Sequence, residues 1–288
     1  MEGKKIVLLG DFDGVHLGHR AIVSEGVRLG KALSLPVCAW TFDTIRAEAL
    51  TRLDERIRLL KEAGVDFVEL CDFDSVRNMS CEDFVKSILR DRLNAKAVVC
   101  GYNYSFGRGG KGTPSDLKAR CEAEGICVSV VDEVRLGDGE VSSSEIRRLI
   151  RNGRMSDAAG LLGRFWSCPG NVERGAGLGR TVGIPTVNVG TDRLILPKNG
   201  VYATVTVVDG ERYPSVTNEG LRPTVNDGRG VTVESHIIDF EGDLYGHVVS
   251  VEFIERIRDE RAFSSLEELS AQVKRDCNTA KELLKSIL

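Results

Sequence analysis

Two of the four histidines in this chain, His16 and His19, lie close together in the segment GDFDGVHLGHR. The segment follows an apolar run typical of a β-strand and precedes a stretch with helical apolar spacing. A strand, a glycine-containing turn and a helix start gather backbone N–H groups and the positive helix end around an anion. Because imidazoles can donate hydrogen bonds to phosphate oxygens, the segment predicts chemistry on a nucleotide phosphate.

The composition, with 42% hydrophobic and 28% charged residues, is that of a globular protein with a buried core. A length of 288 residues predicts two domains at a typical size of about 150 residues each. The net charge of −4 argues against a nucleic-acid partner, because such proteins usually carry a basic excess. No apolar run approaches the roughly 20 residues that span a bilayer, and the N-terminus lacks a signal-peptide layout. We therefore expect a cytoplasmic protein without a membrane partner.

The eight cysteines form no CxxC pair and have no zinc-like spacing to histidine. We expect them to be reduced thiols that act as small core residues. The sequence leaves the oligomeric state open, with a homo-oligomer as one alternative.

Residues 1–164 alternate apolar runs typical of strands with stretches of helical spacing. This alternation predicts an α/β domain with a parallel sheet and helices on both faces. In such sheets ligands bind beyond the carboxyl ends of the strands, and residues 10–19 and 101–112 both follow predicted strands. The apolar face of the first predicted helix is formed by Ile22, Gly26, Leu29 and Leu33.

The pattern changes after Gly163, where short β-rich stretches are separated by glycine, proline and asparagine. Evenly spaced short strands predict an antiparallel barrel over residues 165–261, followed by a terminal helix. Capping patterns predict helix starts at Ser80 and at Ser264, the latter paired with Glu267. We place the two domains at residues 1–164 and 165–288.

Three segments of the N-terminal half resemble the adenylyltransferase module of prokaryotic bifunctional riboflavin kinase/FAD synthetases. They are GDFDGVHLGHR, GYNYSFGRGGKGT at 101–113 and VSSSEIRRLI at 141–150. The resemblance implies a Rossmann-like nucleotidylyltransferase fold in which His16 and His19 contact the ATP phosphates. It also implies that Arg147 acts as a charge clamp. The further nucleotide-binding residues that it implies are Gly10, Asp11, Phe12, Gly14, Gly18, Asn103, Phe106, Gly107, Ser142 and Ser143.

One stretch departs from this family. Its members usually carry a TFxPHP-like sequence after the second strand, whereas this chain has TFDTIRAEA at 41–49, without proline or histidine. One alternative is therefore a riboflavin kinase whose adenylyltransferase domain is weak or inactive.

The C-terminal half resembles riboflavin kinase through GNVERGAGLGRTVGIPTVNV at 170–189, followed by VTNEGLRPTV and VESHIIDFEGDLYG. The glycines of the first segment form a flexible loop that can close over phosphates, with Arg180 supplying charge. Thr186 and Asn188 lie on one face of a strand and can hold Mg²⁺ beside ATP. The resemblance implies that Glu234 is the general base. The predicted nucleotide-binding residues here are Gly175, Gly179, Arg180, Gly183 and Pro185.

The sequence thus predicts a bifunctional enzyme that uses ATP and Mg²⁺. The barrel phosphorylates riboflavin to FMN, and the α/β domain adenylylates FMN to FAD with release of pyrophosphate. A flavin-binding regulator without turnover is the alternative from another class, and the presence of both His16/His19 and Glu234 argues against it.

Overall fold

The computed structural model describes residues 3–43, 47–137, 139–173, 186–191, 193–220, 232–240, 242 and 244–288. The chain divides into two compact units, Met1–Ser143 and Ser144–Leu288. No helix in these ranges combines the length and apolar character that crossing a bilayer requires.

The N-terminal unit is built on a five-stranded parallel sheet, which confirms the predicted α/β class. Its strands are β1 (Lys5–Leu9), β2 (Val37–Phe42), β3 (Phe67–Cys71), β4 (Ala95–Gly101) and β5 (Cys127–Val131). They are ordered β3-β2-β1-β4-β5. The strand order reverses between β1 and β4, so a crevice opens beyond the carboxyl ends of these two strands.

Helices connect the strands of this sheet. They are α1 (Leu17–Leu33), α2 (Leu53–Glu62), α3 (Phe73–Val76), α4 (Cys81–Asp83) and α5 (Pro114–Ala123). The chain continues from α4 with π-helical hydrogen bonding over Phe84–Arg92. A hairpin of β6 (Arg135–Leu136) and β7 (Gly139–Glu140) follows the sheet. The predicted cap at Ser80 is confirmed, since its hydroxyl accepts the Asp83 N–H at 3.0 Å.

The sheet buries a hydrophobic cluster on each face, as alternation along β1 requires. Ile6 and Leu8 belong to one cluster, and Val7 and Leu9 to the other. Of the predicted apolar face of α1, Ile22 and Gly26 are buried, but Leu33 is 47% exposed. The helix ends there because Ser34 adopts the left-handed conformation, so its last residue reaches solvent.

The C-terminal unit holds a closed barrel, which confirms the predicted antiparallel architecture. Its strands are β8 (Trp166–Glu173), β9 (Val187–Val189), β10 (Gly200–Val208), β11 (Glu211–Gly220), β12 (Thr232–Ile237) and β13 (Val248–Arg258). Around the barrel they run β10-β11-β12-β9-β8-β13. Two helices, α6 (Ser143–Arg151) and α7 (Met155–Leu162), precede the barrel. The Ser156 hydroxyl at α7 donates to Glu255 on β13 at 2.8 Å.

The interior of the barrel contains a patch of hydroxyl groups with no exposure to solvent. Their oxygens lie 2.7–3.1 Å apart, so each buried hydroxyl has a partner. The patch consists of Thr204, Thr206, Ser215, Thr217 and Ser235. On the outside of the barrel, apolar residues of β10 and β11 form a second core with Ala280 and Leu284 of the terminal helix, α8 (Leu266–Leu284).

The predicted cap of this terminal helix is wrong by one residue. The N-cap is Ser265, whose hydroxyl accepts the Glu268 N–H at 3.2 Å. The Glu268 carboxylate in turn accepts from the backbone N–H of Ser264 at 3.0 Å and from its hydroxyl at 2.8 Å. Ser264 and Ser265 each have a glutamate three residues later, so the capping pattern fits both. The Ser265–Glu268 pair forms the cap, and Glu268 also accepts the hydrogen bonds that Ser264 donates.

All eight cysteines are free thiols. Five are buried, namely Cys38, Cys71, Cys100, Cys121 and Cys168. Burial raises the pKa of Cys38 and of Cys100 to about 11, so these two stay protonated and unreactive at neutral pH. Cys127 is exposed and departs from the predicted core role.

Candidate functional site

The turn between β1 and α1 adopts an unusual backbone conformation. Phe12, Gly14 and Val15 have φ values of 53°, 85° and 38°. A positive φ is ordinary for glycine but strained for a bulky or β-branched residue, at a cost on the order of 1–3 kcal/mol. Such strain persists only where the surrounding structure fixes the backbone, so this turn must be held by contacts with neighbouring segments.

Asp13 is the buried anchor of the turn, with 2% of the residue exposed. Its carboxylate accepts the backbone N–H groups of Leu50 at 3.0 Å and Thr51 at 3.1 Å. The Thr51 hydroxyl accepts from the Gly14 N–H at 3.1 Å. The Ser143 hydroxyl donates to the Asp13 carbonyl at 3.0 Å. Two distant segments therefore hold the turn.

Arg56 of α2 contacts the same turn, and its side chain is 1% exposed. Its Nη1 donates to the carbonyl oxygens of Asp11 at 3.1 Å and Phe42 at 3.4 Å. Its guanidinium also lies 3.5 Å from the Asp11 carboxylate and 3.8 Å from that of Asp13. The Asp11 carbonyl additionally accepts from the Thr41 hydroxyl at 2.8 Å.

His16 and His19 stand at the start of α1 with their rings stacked 3.7 Å apart. His16 is the N-cap, and its Nδ1 accepts the His19 N–H at 3.3 Å. Because an acceptor nitrogen carries no proton, this contact places the ring proton of His16 on Nε2. Burial, His16 and Arg56, in that order, lower the pKa of His19 well below its ordinary 6.5. His19 is therefore neutral at pH 7, and its buried Nδ1 has no hydrogen-bond partner among the described residues.

Gly10 and Gly18 are placed where a side chain would disturb this arrangement. A Cβ on Gly18 would lie 3.1 Å from ring atoms of His16 and 3.5 Å from the Val141 carbonyl. A Cβ on Gly10 would lie 3.1 Å from the ring of Phe12, which is itself buried. The glycines thus let the backbone close around the two imidazoles.

The predicted residues after β4 divide into exposed and structural positions. Asn103 is exposed just beyond the strand end, next to the end of β1 in the sheet. Phe106 is 5% exposed and belongs to the core beneath the sheet. Gly107 has a φ of 73°, and a Cβ there would meet the Cys81 sulfur at 2.6 Å. Phe106 and Gly107 therefore shape this loop.

The predicted residues at 142–147 fall on both sides of the division between the two units. Ser142 and Ser143 end the N-terminal unit, and Ser143 contacts the turn through Asp13. Arg147 lies on α6 in the C-terminal unit and is half-buried. Its role as a charge clamp stays a prediction.

The C-terminal unit places Asn188 and Glu234 as direct cross-strand partners on β9 and β12. The same register pairs Glu234 with Asn218 on β11. Directly opposed residues share one face of a sheet, with Cβ atoms about 4.5–5.5 Å apart. Asn188 is 7% exposed. The three side chains form a row of amide, carboxylate and amide on neighbouring strands.

Thr186 directly precedes β9 and is half-buried. Thr186 and Asn188 both carry side-chain oxygens, the ligand type that Mg²⁺ prefers, and Asn188 is directly opposite Glu234. The other predicted residues of this half, Gly175, Gly179, Arg180, Gly183 and Pro185, lie outside the described residues. No group of three or more histidine, cysteine, aspartate or glutamate side chains in the described ranges could hold a metal ion.

Some residues of these sites are absent from the sequence-based prediction. They are Asp13, Thr41, Thr51 and Arg56 at the turn, and Asn218 in the barrel. A signal existed for Arg56, which shares a helical face with the buried Leu59 and Leu60. A charged residue on such a face indicates a buried ionic partner. Thr41, Thr51 and Asn218 carry no comparable signal.

A turn that leads into a helix at the switch point of a parallel sheet is a common place for a nucleotide phosphate to bind. With the amide and carboxylate pair of the barrel, this arrangement indicates the class of nucleotide-dependent transferases. Sequence comparison gives the family. The FAD synthetase family model matches residues 1–145, and the riboflavin kinase family model matches residues 162–284. The chain belongs to the bifunctional riboflavin kinase/FMN adenylyltransferase family, as the sequence motifs predict.

Curated relatives with this name support the assignment over nearly the whole chain. The protein of Escherichia coli strain K12 is 36% identical, covering 96% of this chain and 92% of its own length. That of Bacillus subtilis strain 168 is 31% identical, with 96% and 91% covered. A crystal structure described as a macrolide-efflux protein from Streptococcus pneumoniae has a TM-score of 0.88 and 31% identity. The likeness covers 98% of this chain and 95% of that one.

Proposed function

We propose that the turn between β1 and α1 is the FMN adenylyltransferase site of this enzyme. We also propose that the Asn188–Glu234 pair marks its riboflavin kinase site. The observation that carries the first assignment is the stacked histidine pair at the helix start, in a strained turn at the switch point of the sheet. The second assignment is supported by the cross-strand register of Asn188 and Glu234.

At the kinase site, Glu234 takes the proton of the terminal ribityl hydroxyl as its oxygen attacks the γ-phosphorus of ATP. The bond to the β–γ bridging oxygen breaks, and FMN and ADP are the products. General base catalysis of this kind contributes about 10²–10⁴-fold. Thr186 and Asn188 would hold Mg²⁺, which neutralises phosphate charge when bound.

At the adenylyltransferase site, a phosphate oxygen of FMN attacks the α-phosphorus of ATP. The bond to the pyrophosphate oxygen breaks, giving FAD and pyrophosphate. This displacement needs positioning and charge stabilisation rather than a covalent intermediate on the protein. His16, His19 and the N–H groups at the start of α1 supply hydrogen bonds to the phosphates, and Gly18 lets the backbone approach them.

The first experiment incubates the purified chain with ATP and Mg²⁺, with riboflavin in one arm and FMN in the other. Flavins are separated by chromatography, and pyrophosphate is measured in the second arm. We expect FMN followed by FAD in the first arm, and FAD with equimolar pyrophosphate in the second. A folded chain that leaves riboflavin unchanged overturns the kinase site, and one that leaves FMN unchanged overturns the adenylyltransferase site.

Glu234→Gln tests the base. We expect FMN formation to fall by about 10²-fold or more, because the amide cannot accept the proton, while FMN is still converted to FAD. The matched control is Glu252→Gln on β13, which removes an ion pair between Glu252 and Arg212 and should leave both reactions unchanged. Equal loss of both activities in folded Glu234→Gln would contradict separate sites.

His19→Ala tests the other site. We expect loss of FAD formation from FMN with normal riboflavin phosphorylation. His19→Ala removes one predicted phosphate contact directly and also removes the ring that stacks on His16, which makes the other. His247→Ala is the control, because His247 lies at the barrel surface beside Asp209. Unchanged FAD output from His19→Ala would remove this pair from the site.

Riboflavin, FMN and ATP are thus the small-molecule partners of the chain. The cytoplasmic location, the homo-oligomer alternative and the domain boundary after residue 164 stay predictions of the sequence.

A further inference from the structure

Arg56 carries a positive charge in the interior of the N-terminal unit, and nothing in the reaction described above uses it. Its side chain is 1% exposed, and its Nε has no hydrogen-bond partner among the described residues. Burying a guanidinium is unfavourable unless its partners are well placed. The residues that the Arg56 guanidinium contacts therefore indicate what this buried charge does.

The guanidinium joins three elements at the carboxyl edge of the sheet. From α2, its Nη1 donates to the Phe42 carbonyl at the end of β2 and to the Asp11 carbonyl after β1. Both carboxylates of the turn, on Asp11 and Asp13, face it within 4.0 Å. The flat, forked shape of arginine allows one side chain to meet several acceptors at fixed angles.

The turn that Arg56 contacts is the strained one. Phe12 and Val15 hold positive φ values within it, and the chain enters α1 at His16 directly afterwards. A strained backbone needs fixed neighbours. Arg56 also contributes to the lowered pKa of His19, which places its charge close to the histidine pair.

We propose that Arg56 is a positioning residue of the adenylyltransferase site, which fixes the turn of residues 11–15 so that His16 and His19 face the ATP phosphates. This inference rests on the proposed function of the turn. Arg56 does not touch the reacting atoms in this scheme. It acts through the Asp11 carbonyl and the two carboxylates.

The test is Arg56→Lys, which keeps the charge but replaces the fork by a single ammonium. We expect kcat/KM for FMN adenylylation to fall at least about tenfold, with a raised KM for ATP, because small displacements of a positioned group lower rates strongly. Riboflavin phosphorylation by the same chain should be unchanged. The matched control is Arg58→Lys on the same helix. The Arg58 side chain is 58% exposed and forms an ion pair with Glu62.

Two further measurements separate positioning from a merely structural role. In NMR spectra, the imidazole resonances of His16 and His19 should shift in Arg56→Lys and stay in place in Arg58→Lys. In Arg56→Ala, millimolar ethylguanidinium should restore FAD formation, whereas ethylammonium should not. Should Arg56→Ala fail to fold, Arg56→Lys carries the kinetic and NMR tests.

The outcomes are distinct. Arg56→Lys with kcat and KM for adenylylation within twofold of wild type overturns the positioning role alone. A loss of thermal stability in Arg56→Lys with unchanged kcat and KM of the folded protein also overturns it. Absence of FAD from the wild-type chain overturns the proposed function of the turn, and the positioning role with it.

Discussion

Glu219 shows what a single buried carboxyl group does to the C-terminal unit. It is 1% exposed at the end of β11, and its Oε2 has no hydrogen-bond partner among the described residues. Burial and the nearby Glu260 raise its pKa from 4.5 to about 7. A carboxyl that resists ionisation makes the folded state sensitive to pH.

The sign of this sensitivity follows from proton linkage. Between pH 4.5 and about 7 the folded chain keeps a proton on Glu219 that the unfolded chain releases. The contribution of Glu219 to stability therefore decreases as pH rises through this window. The loss amounts to about 3 kcal/mol above pH 7.

We predict that Glu219→Gln, which stays neutral at every pH, raises the free energy of unfolding at pH 8 by about 2–3 kcal/mol. The difference from wild type should nearly vanish at pH 5. Urea unfolding followed by Trp166 fluorescence, in a Trp40→Phe background, reports on the barrel that contains Trp166. Glu211→Gln, an exposed position on the same strand, is the control. Equal stability of Glu219→Gln and wild type at pH 8 would contradict a raised pKa.

At the scale of elements, the start of α1 depends on how closely the backbone packs against His16. We predict that Gly18→Ala lowers FMN adenylylation by about tenfold or more, because its Cβ, 3.1 Å from the His16 ring, displaces the imidazole. Stability should not fall in proportion, since alanine is a better helix former than glycine by about 1 kcal/mol. Steady-state kinetics with FMN and ATP, together with thermal unfolding, check both statements.

The control for this substitution is Gly139→Ala, where a Cβ would meet only the Leu136 carbonyl at an ordinary 3.5 Å. Adenylylation by Gly139→Ala should equal that of wild type. A fully active Gly18→Ala would show that the His16 ring can move without consequence.

The elements themselves could largely be predicted from sequence, because hydrophobic spacing is a local signal. The five parallel strands and the long barrel strands follow it. The same local signals give errors of about one residue at helix ends. Leu33 is predicted on the apolar face of α1 but is exposed as the last residue of the helix. The N-cap of the terminal helix is Ser265 and not the predicted Ser264.

The candidate sites could be predicted only where a motif is contiguous. His16 and His19 lie in one segment, whereas the pairing of Asn188 with Glu234 depends on the register of two strands far apart in sequence. That register is set by which face of each strand is buried and by the connections around the barrel, and neither segment alone contains this information. Arg56 illustrates the same limit, since its partners come from the turn after β1 and from the end of β2.

At the scale of the whole molecule, each unit has its own sheet and its own hydrophobic core. His16 and His19 belong to one unit, and Asn188 and Glu234 belong to the other. The residues proposed for the kinase site thus all lie in the unit that contains the barrel. FMN, the product of one reaction and the substrate of the other, can then pass through solution.

We predict that two inactive chains complement each other. Glu234→Gln alone should phosphorylate riboflavin at least about 10²-fold more slowly than wild type, and His19→Ala alone should stop at FMN. A mixture of the two, supplied with riboflavin, ATP and Mg²⁺, should form FAD after a lag during which FMN accumulates. The lag should disappear when FMN is added at the start, because the intact adenylyltransferase site of Glu234→Gln then has its substrate.

Chromatography of flavins over time gives the measurement, with each variant alone as control. A mixture that accumulates FMN without forming FAD would show that the second reaction needs both intact sites on one chain.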